Sequence, residues 1–104
     1  MTTTTSLVTN TGGNVYTSTG NTVITWLSIT NYTANTASAN VHLLGTGQSA
    51  NLQNMIAANV SITGGDTFQI YTFAEKLVLE NATTIYVIAN IDATLNAVTS
   101  YTSA

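Results

Sequence analysis

A chain of 104 residues without cysteine has the length of one domain, and it excludes both a disulfide framework and a cysteine-ligated zinc site. Only 5% of the residues are charged, where about 25% is usual for globular chains. A single lysine against four acids leaves a net charge of −3, too few cations to neutralise the phosphates of a nucleic acid.

No apolar run approaches the ~18 residues of a membrane span. The N-terminus, MTTTTSLVTN, lacks the basic and apolar regions of a secretory signal, so synthesis and use without Sec export is expected. Thr, Asn and Ser supply the polarity instead of charge. Sheet edges are ordinarily guarded by Lys, Pro or inward-pointing charges, and this chain has no Pro and one Lys. Edges covered by neighbours in a fixed assembly are therefore expected, the alternative being a stable, Thr-rich monomer.

Thr2 to Thr9 is β-prone and reads as a first strand or arm, closed by the turn Asn10-Thr11-Gly12-Gly13. Val15 to Ser18 is a brief second strand. Thr22 to Asn31 (TVITWLSITN) is the strongest strand of the first half. It carries apolar residues on both faces, which predicts cover on both sides. Trp26 is then either a core residue or an interface anchor, since Trp is enriched at interface hot spots. Asn31 to Asn40 reads as a loop, and Asn40 to Gly45 as a strand with His42 on one side. Gln48 to Ala58 is ambiguous and predicts an excursion with at most one helical turn, leading into a strand near Val60.

Gly64-Gly65-Asp66 makes the next turn. Thr67 to Phe73, Leu77 to Leu79, Thr83 to Ala89 and Ala93 to Tyr101 alternate apolar with polar residues, the signature of half-buried antiparallel strands. The prediction is an all-β, antiparallel Ig-like β-sandwich of eight to nine strands, one domain over 1–104 with residues 1–9 as a strand or N-terminal arm.

Chemistry is sparse. His42 is the only histidine, and no G-x-S-x-G elbow accompanies the serines available to it. It is expected to be a partly exposed strand residue or a neighbour-facing contact. Asp66, Glu75, Glu80 and Asp92 fall at turns, where acids are ordinary solvated punctuation, and no D-x-D-x-D-G loop is present for Ca²⁺. Glu75 and Lys76 are placed for a local surface ion pair. None of the glycine pairs precedes the Lys-Ser/Thr of a P-loop. Hence no catalytic residue, cofactor or metal is expected. Sugar binding would need exposed aromatics in a row, and Tyr16, Trp26, Tyr32, Tyr71 and Tyr101 are the candidates.

One pattern spans most of the chain. It runs from Val15-Tyr-Thr-Ser-Thr-Gly20-Asn21-Thr through Ile29-Thr-Asn31 and Ala39-Asn-Val41-His-Leu43. It continues through Ile62-Thr-Gly-Gly-Asp66-Thr-Phe, Glu75-Lys76-Leu-Val-Leu-Glu80-Asn and Thr84-Ile-Tyr to Val98-Thr-Ser-Tyr101. It resembles a family of roughly 100-residue virion structural proteins of tailed bacteriophages. Where relatives often read N-G-D after the Leu-rich strand, this chain has Asn81-Ala82-Thr83. The resemblance implies an Ig-like sandwich that decorates or cements a capsid, located in the virion and assembled in the host bacterial cytoplasm. Implied partners are further copies of itself and other virion proteins such as the major capsid protein, with no nucleic acid and no membrane. Trp26, His42, Tyr71 and Tyr101 are the expected partner-interface residues. The alternative is a tail, baseplate or fibre module binding host glycans.

Overall fold

The computed structural model describes residues 2–51, 53–71, 77–90 and 95–103. These form nine strands: β1 (Thr2–Val8), β2 (Gly13–Thr17), β3 (Thr22–Asn31), β4 (Ala37–Leu44), β5 (Met55–Ile62), β6 (Thr67–Tyr71), β7 (Leu77–Leu79), β8 (Thr84–Ala89) and β9 (Leu95–Ser103). They make two antiparallel sheets packed as a sandwich. The first has the order β1-β9-β3-β6, with β7 also alongside β3; the second is β2-β8-β4-β5.

With β7 set aside, the pairing is nested. β1 joins β9, β2 joins β8, β3 joins β6 and β4 joins β5. Two further ladders, β9 to β3 and β8 to β4, knit these ribbons into the two sheets. This is the strand order of a jelly roll. The expected Ig-like order differs, because there the first two strands share a sheet. Here β1 and β2 lie in opposite sheets, joined by a short crossing turn. Gly12 sits at φ 84 in that turn, and the Thr9 carbonyl accepts from the N–H of Gly12 (3.4 Å) and of Ala89 (3.0 Å). Period-2 alternation fixes which residues face inward but not which strand lies alongside, so a sandwich was legible and its winding was not.

The core fills the space between the inner faces. Ile24, Leu27 and Ile29 of β3, Val41 of β4, Ile85 and Val87 of β8, and Leu95 and Ala97 of β9 are essentially inaccessible. Large aliphatics from both sheets thus interdigitate, and each such side chain contributes roughly 1.5–3 kcal/mol by leaving water.

The double-faced apolar pattern of β3 has a local cause. Its register against β9 runs Ile24 to Tyr101 and then Trp26 to Ser100, so Thr25 is an extra residue in a β-bulge. The bulge reverses the alternation. Thr22 and Ile24 face inward before it, Leu27, Ile29 and Asn31 after it. Much of the apparent second apolar face is therefore the same face, read across a one-residue slip.

Between β4 and β5 the described residues hold no helix, within the expected limit of at most one helical turn. Side-chain amides hold the loop in turns: the Gln48 Oε1 accepts from the Gly45 N–H (2.8 Å), Asn51 Oδ1 from the Gln53 N–H (2.8 Å) and Asn54 Oδ1 from the Asn51 N–H (3.1 Å). Such local bonds compete directly with helical ones. Phe73, Glu75, Lys76 and Asp92 lie outside the described residues.

The two ends of the sandwich are closed by polar networks. At one end, the buried Asn31 side chain makes four bonds. Its Nδ2 donates to the carbonyls of Asn35 (2.6 Å) and Ile62 (2.9 Å), and its Oδ1 accepts from the Thr33 N–H (3.0 Å) and hydroxyl (2.7 Å). At the other, the Tyr16 hydroxyl donates to Thr22 Oγ1 (3.2 Å), which also meets Ser18 Oγ (2.8 Å). One pair lacks such satisfaction: Thr4 and Thr99, opposite each other on β1 and β9, bury hydroxyls without a hydrogen-bond partner among the described residues.

Candidate functional site

The four expected interface residues do not converge. Trp26 follows the β3 bulge opposite Ser100 and is half-buried on the outer face of the first sheet. Ser100 in turn touches the exposed Thr3 through its hydroxyl (3.2 Å). Trp26 therefore belongs to neither the inner core nor a fully exposed patch.

His42 lies on the outer face of the other sheet. It is only 4% exposed, which corrects the expectation of a partly exposed strand residue. The cause is the β4–β5 loop, which folds back over the sheet: the Leu43 N–H donates to the Asn54 carbonyl (2.8 Å), and Asn54 Oδ1 sits 2.8 Å from His42 Nδ1. An amide oxygen only accepts, so Nδ1 carries the proton in this pair. Tyr86, the cross-strand neighbour, meets the imidazole edge-on with centroids 5.8 Å apart. His42 thus anchors a loop to a sheet. No group of three His, Cys, Asp or Glu capable of holding a metal occurs among the described residues.

Tyr101 packs against the core, its ring 4.3 Å from that of Tyr16 across the two sheets. Tyr71 stands opposite Leu27 in the β3–β6 register; its side chain is outside what the structure describes. Of the aromatics suggested for sugar stacking, Tyr16 is buried (7%) and Tyr32 exposed (54%). Tyr32 lies just beyond the end of β3.

Two features were not anticipated. The first is the outer face of the β1-β9-β3-β6 sheet. Leu7 on β1 is 52% exposed and Val78 on β7 is 63% exposed. Val78 stands opposite Val23, and Leu7 opposite Asn96. Strict alternation could have found both: Leu77 and Leu79 turn inward, which sends Val78 out, and the buried Val8 does the same to Leu7. The only charged side chains among the described residues, apart from His42 as a titratable group, are Asp66 and Glu80. Both sit in turns, so neither sheet face carries a formal charge there.

The second is a shallow hollow of about 200 Å³ on the other sheet, lined by Asn40, Asn59, Ile88 and Asn90 among others. It forms where the β4–β5 register slips at Ala39 to Val41 and Asn59 adopts φ 50. Asn40 Oδ1 accepts from the Asn59 N–H (2.6 Å) and Asn90 Oδ1 from the Ser38 N–H (2.8 Å). Those amide oxygens satisfy the sheet's own backbone at the irregularity. The arrangement offers neutral hydrogen bonding from amides and the Ser38 hydroxyl, with no histidine or carboxylate in its lining.

Comparison with known proteins found no matching family model, no matching curated protein and no matching solved structure.

Proposed function

We propose that the chain is a structural subunit of a tailed-bacteriophage virion, a capsid decoration or cement protein that acts by burying seams between head subunits. The observation that carries this reading is the distribution of charge. A protein that lives alone in solution normally covers its sheets with interspersed Lys, Arg, Glu and Asp. Here the outer faces carry Thr, Ser and Asn, with Leu7 and Val78 standing out into solvent, and charge is confined among the described residues to turn positions. Such a surface loses little desolvation energy when another protein covers it, because no ion has to be stripped of water. The jelly-roll sandwich is compatible with the role but does not imply it, since one fold hosts many functions.

A cement subunit of this kind needs no catalytic group and no cofactor. It would add interface on the usual scale of about 1,200–2,000 Å² per contact. The experiment is to mix the purified protein with expanded phage heads lacking it. Saturable binding, with a higher temperature of head disruption, is expected. Absence of binding to heads would sink the proposal, and saturable binding on a glycan array that is lost on Trp26→Ala would replace it with the adhesion reading.

A further inference from the structure

The two sheets have four lateral edges, and they are not equivalent. The β2 edge is short and carries a bulge at Val15, between the pairs Asn14–Tyr86 and Tyr16–Ile85. The β5 edge slips register twice and passes through Asn59 at φ 50. Beyond β3, the edge is shared by two short strands, and β6 carries its own register shift at Ile70. Bulges and short strands are the devices by which natural sheets prevent edge-to-edge pairing.

β1 has none of these devices. Its seven residues pair with β9 in unbroken register, from Thr2–Tyr101 to Val8–Leu95. It contains no Pro, no charge and no glycine: TTTTSLV. An antiparallel strand turns about half of its N–H and C=O groups away from each neighbour. Among the described residues, no backbone hydrogen bond reaches Thr2–Val8 from the side away from β9. The strand therefore presents a straight row of main-chain donors and acceptors with nothing to deflect an incoming strand.

We infer that β1 is a self-pairing edge, on which a second copy of this chain docks its own β1 antiparallel about a two-fold axis. A second copy is favoured over a foreign peptide because the strand is self-complementary. An isologous contact brings the same patch from both subunits, and β1 carries no charge to repel its equal. With the axis at Thr5, the middle residue, all seven positions overlap. Thr3 of one copy faces Leu7 of the other on the outer surface, so the half-exposed Leu7 is partly covered by the Thr3 side chain. The two first sheets then become one continuous sheet, main-chain bonds supplying affinity as in strand addition generally. The inference rests on the assembly reading above and names the contact that the isolated subunit makes with itself.

The chain contains no cysteine, which makes a cross-link test unambiguous. Thr5→Cys at a two-fold strand pair brings two Cβ atoms to about 4.5–5.5 Å, close enough for a disulfide with minor adjustment. Mild oxidation of Thr5→Cys is expected to give a covalent dimer, while Thr67→Cys on the exposed β6 edge stays monomeric. Sedimentation of the cysteine-free protein is expected to show a dimer. The double variant Thr3→Lys/Thr5→Lys, which leaves the backbone pairing to β9 in place, is expected to be a monomer with the same circular dichroism. A monomeric parent protein, a dimer that survives both lysines, or equal cross-linking at Thr67→Cys overturns the inference. Head binding is measured separately. A dimer that ignores phage heads would leave the contact standing and remove the cement role, and a head-binding monomer would do the reverse.

Discussion

The clearest residue-scale lesson is Asn31. It is fully buried, a place where a polar side chain is a liability unless every lone pair and proton is used. All four are used, and two separate segments depend on them, the β3–β4 loop through Thr33 and Asn35 and the end of β5 through Ile62; the main chain of Asn31 holds a third, the β5–β6 turn. There the Asn31 N–H donates to the Asp66 carbonyl (2.9 Å) and its carbonyl accepts from the Gly65 N–H (2.8 Å). Asn31→Ala takes the side-chain donor from the Ile62 carbonyl and the acceptor from the Thr33 N–H, and leaves the Asn35 carbonyl only the longer bond from the Thr33 hydroxyl (3.2 Å), which together cost on the order of 3 kcal/mol. For a domain of this size the melting temperature should fall by at least about 10 °C. Asn31→Asp should be no better, since it turns an oxygen towards carbonyls that need a donor. Asn35→Ala, which touches only an exposed side chain whose backbone oxygen makes the bond, should melt close to the parent. Equal melting of all three would show that the network stabilises nothing. None of this was visible in the sequence, where Asn31 is one asparagine among many, and only its four partners distinguish it.

At the scale of elements, strand existence was highly legible. β3 and β7 begin and end where the alternation places them, because turn residues bracket each run. The faces were less legible. The β3 bulge moved Trp26 out and Leu27 in, and no residue type announces a bulge at Thr25. His42 was misplaced for a related reason: a strand pattern shows two faces but not the loop that Asn54 pins over one of them. The turn after β7 was legible as a departure. Its second central residue, Ala82, sits at φ 67, with the Thr83 N–H donating back to the Glu80 carbonyl (3.1 Å). A side chain there costs about 1–2 kcal/mol of left-handed strain. Glycine would remove it and return roughly half through its own greater chain entropy. Ala82→Gly should therefore stabilise by about 1 kcal/mol and raise the melting temperature by about 4 °C. Thermal unfolding followed by circular dichroism checks it, and an unchanged or lower midpoint would mean that the turn is held by its bond from the Ala82 N–H to the Ser18 carbonyl (2.8 Å) rather than by φ preference.

At the scale of the whole molecule, the nested winding makes the chain's two ends interdependent. β9 lies between β1 and β3, and its Leu95, Ala97 and Thr99 are fully buried. A strand at the centre of a sheet cannot be trimmed as an edge strand can. A chain ending at Asn90 loses the partner of both β1 and the full length of β3, opening the core along Ile24, Leu27 and Ile29. That removes several fully buried side chains at roughly 1.5–3 kcal/mol each, against a total stability of about 5–15 kcal/mol. The expected result is no cooperative thermal transition. A chain beginning at Leu7 loses only the outer strand while keeping the buried Val8, and should still unfold cooperatively at a lower temperature. It should also be monomeric, since the self-complementary β1 strand has gone. The two truncations separate topology from size, because the shorter deletion is at the other end of the same antiparallel ladder. If the chain ending at Asn90 melted cooperatively, β9 would be an accessory to a sandwich that closes without it, and the nested pairing would have no part in its stability.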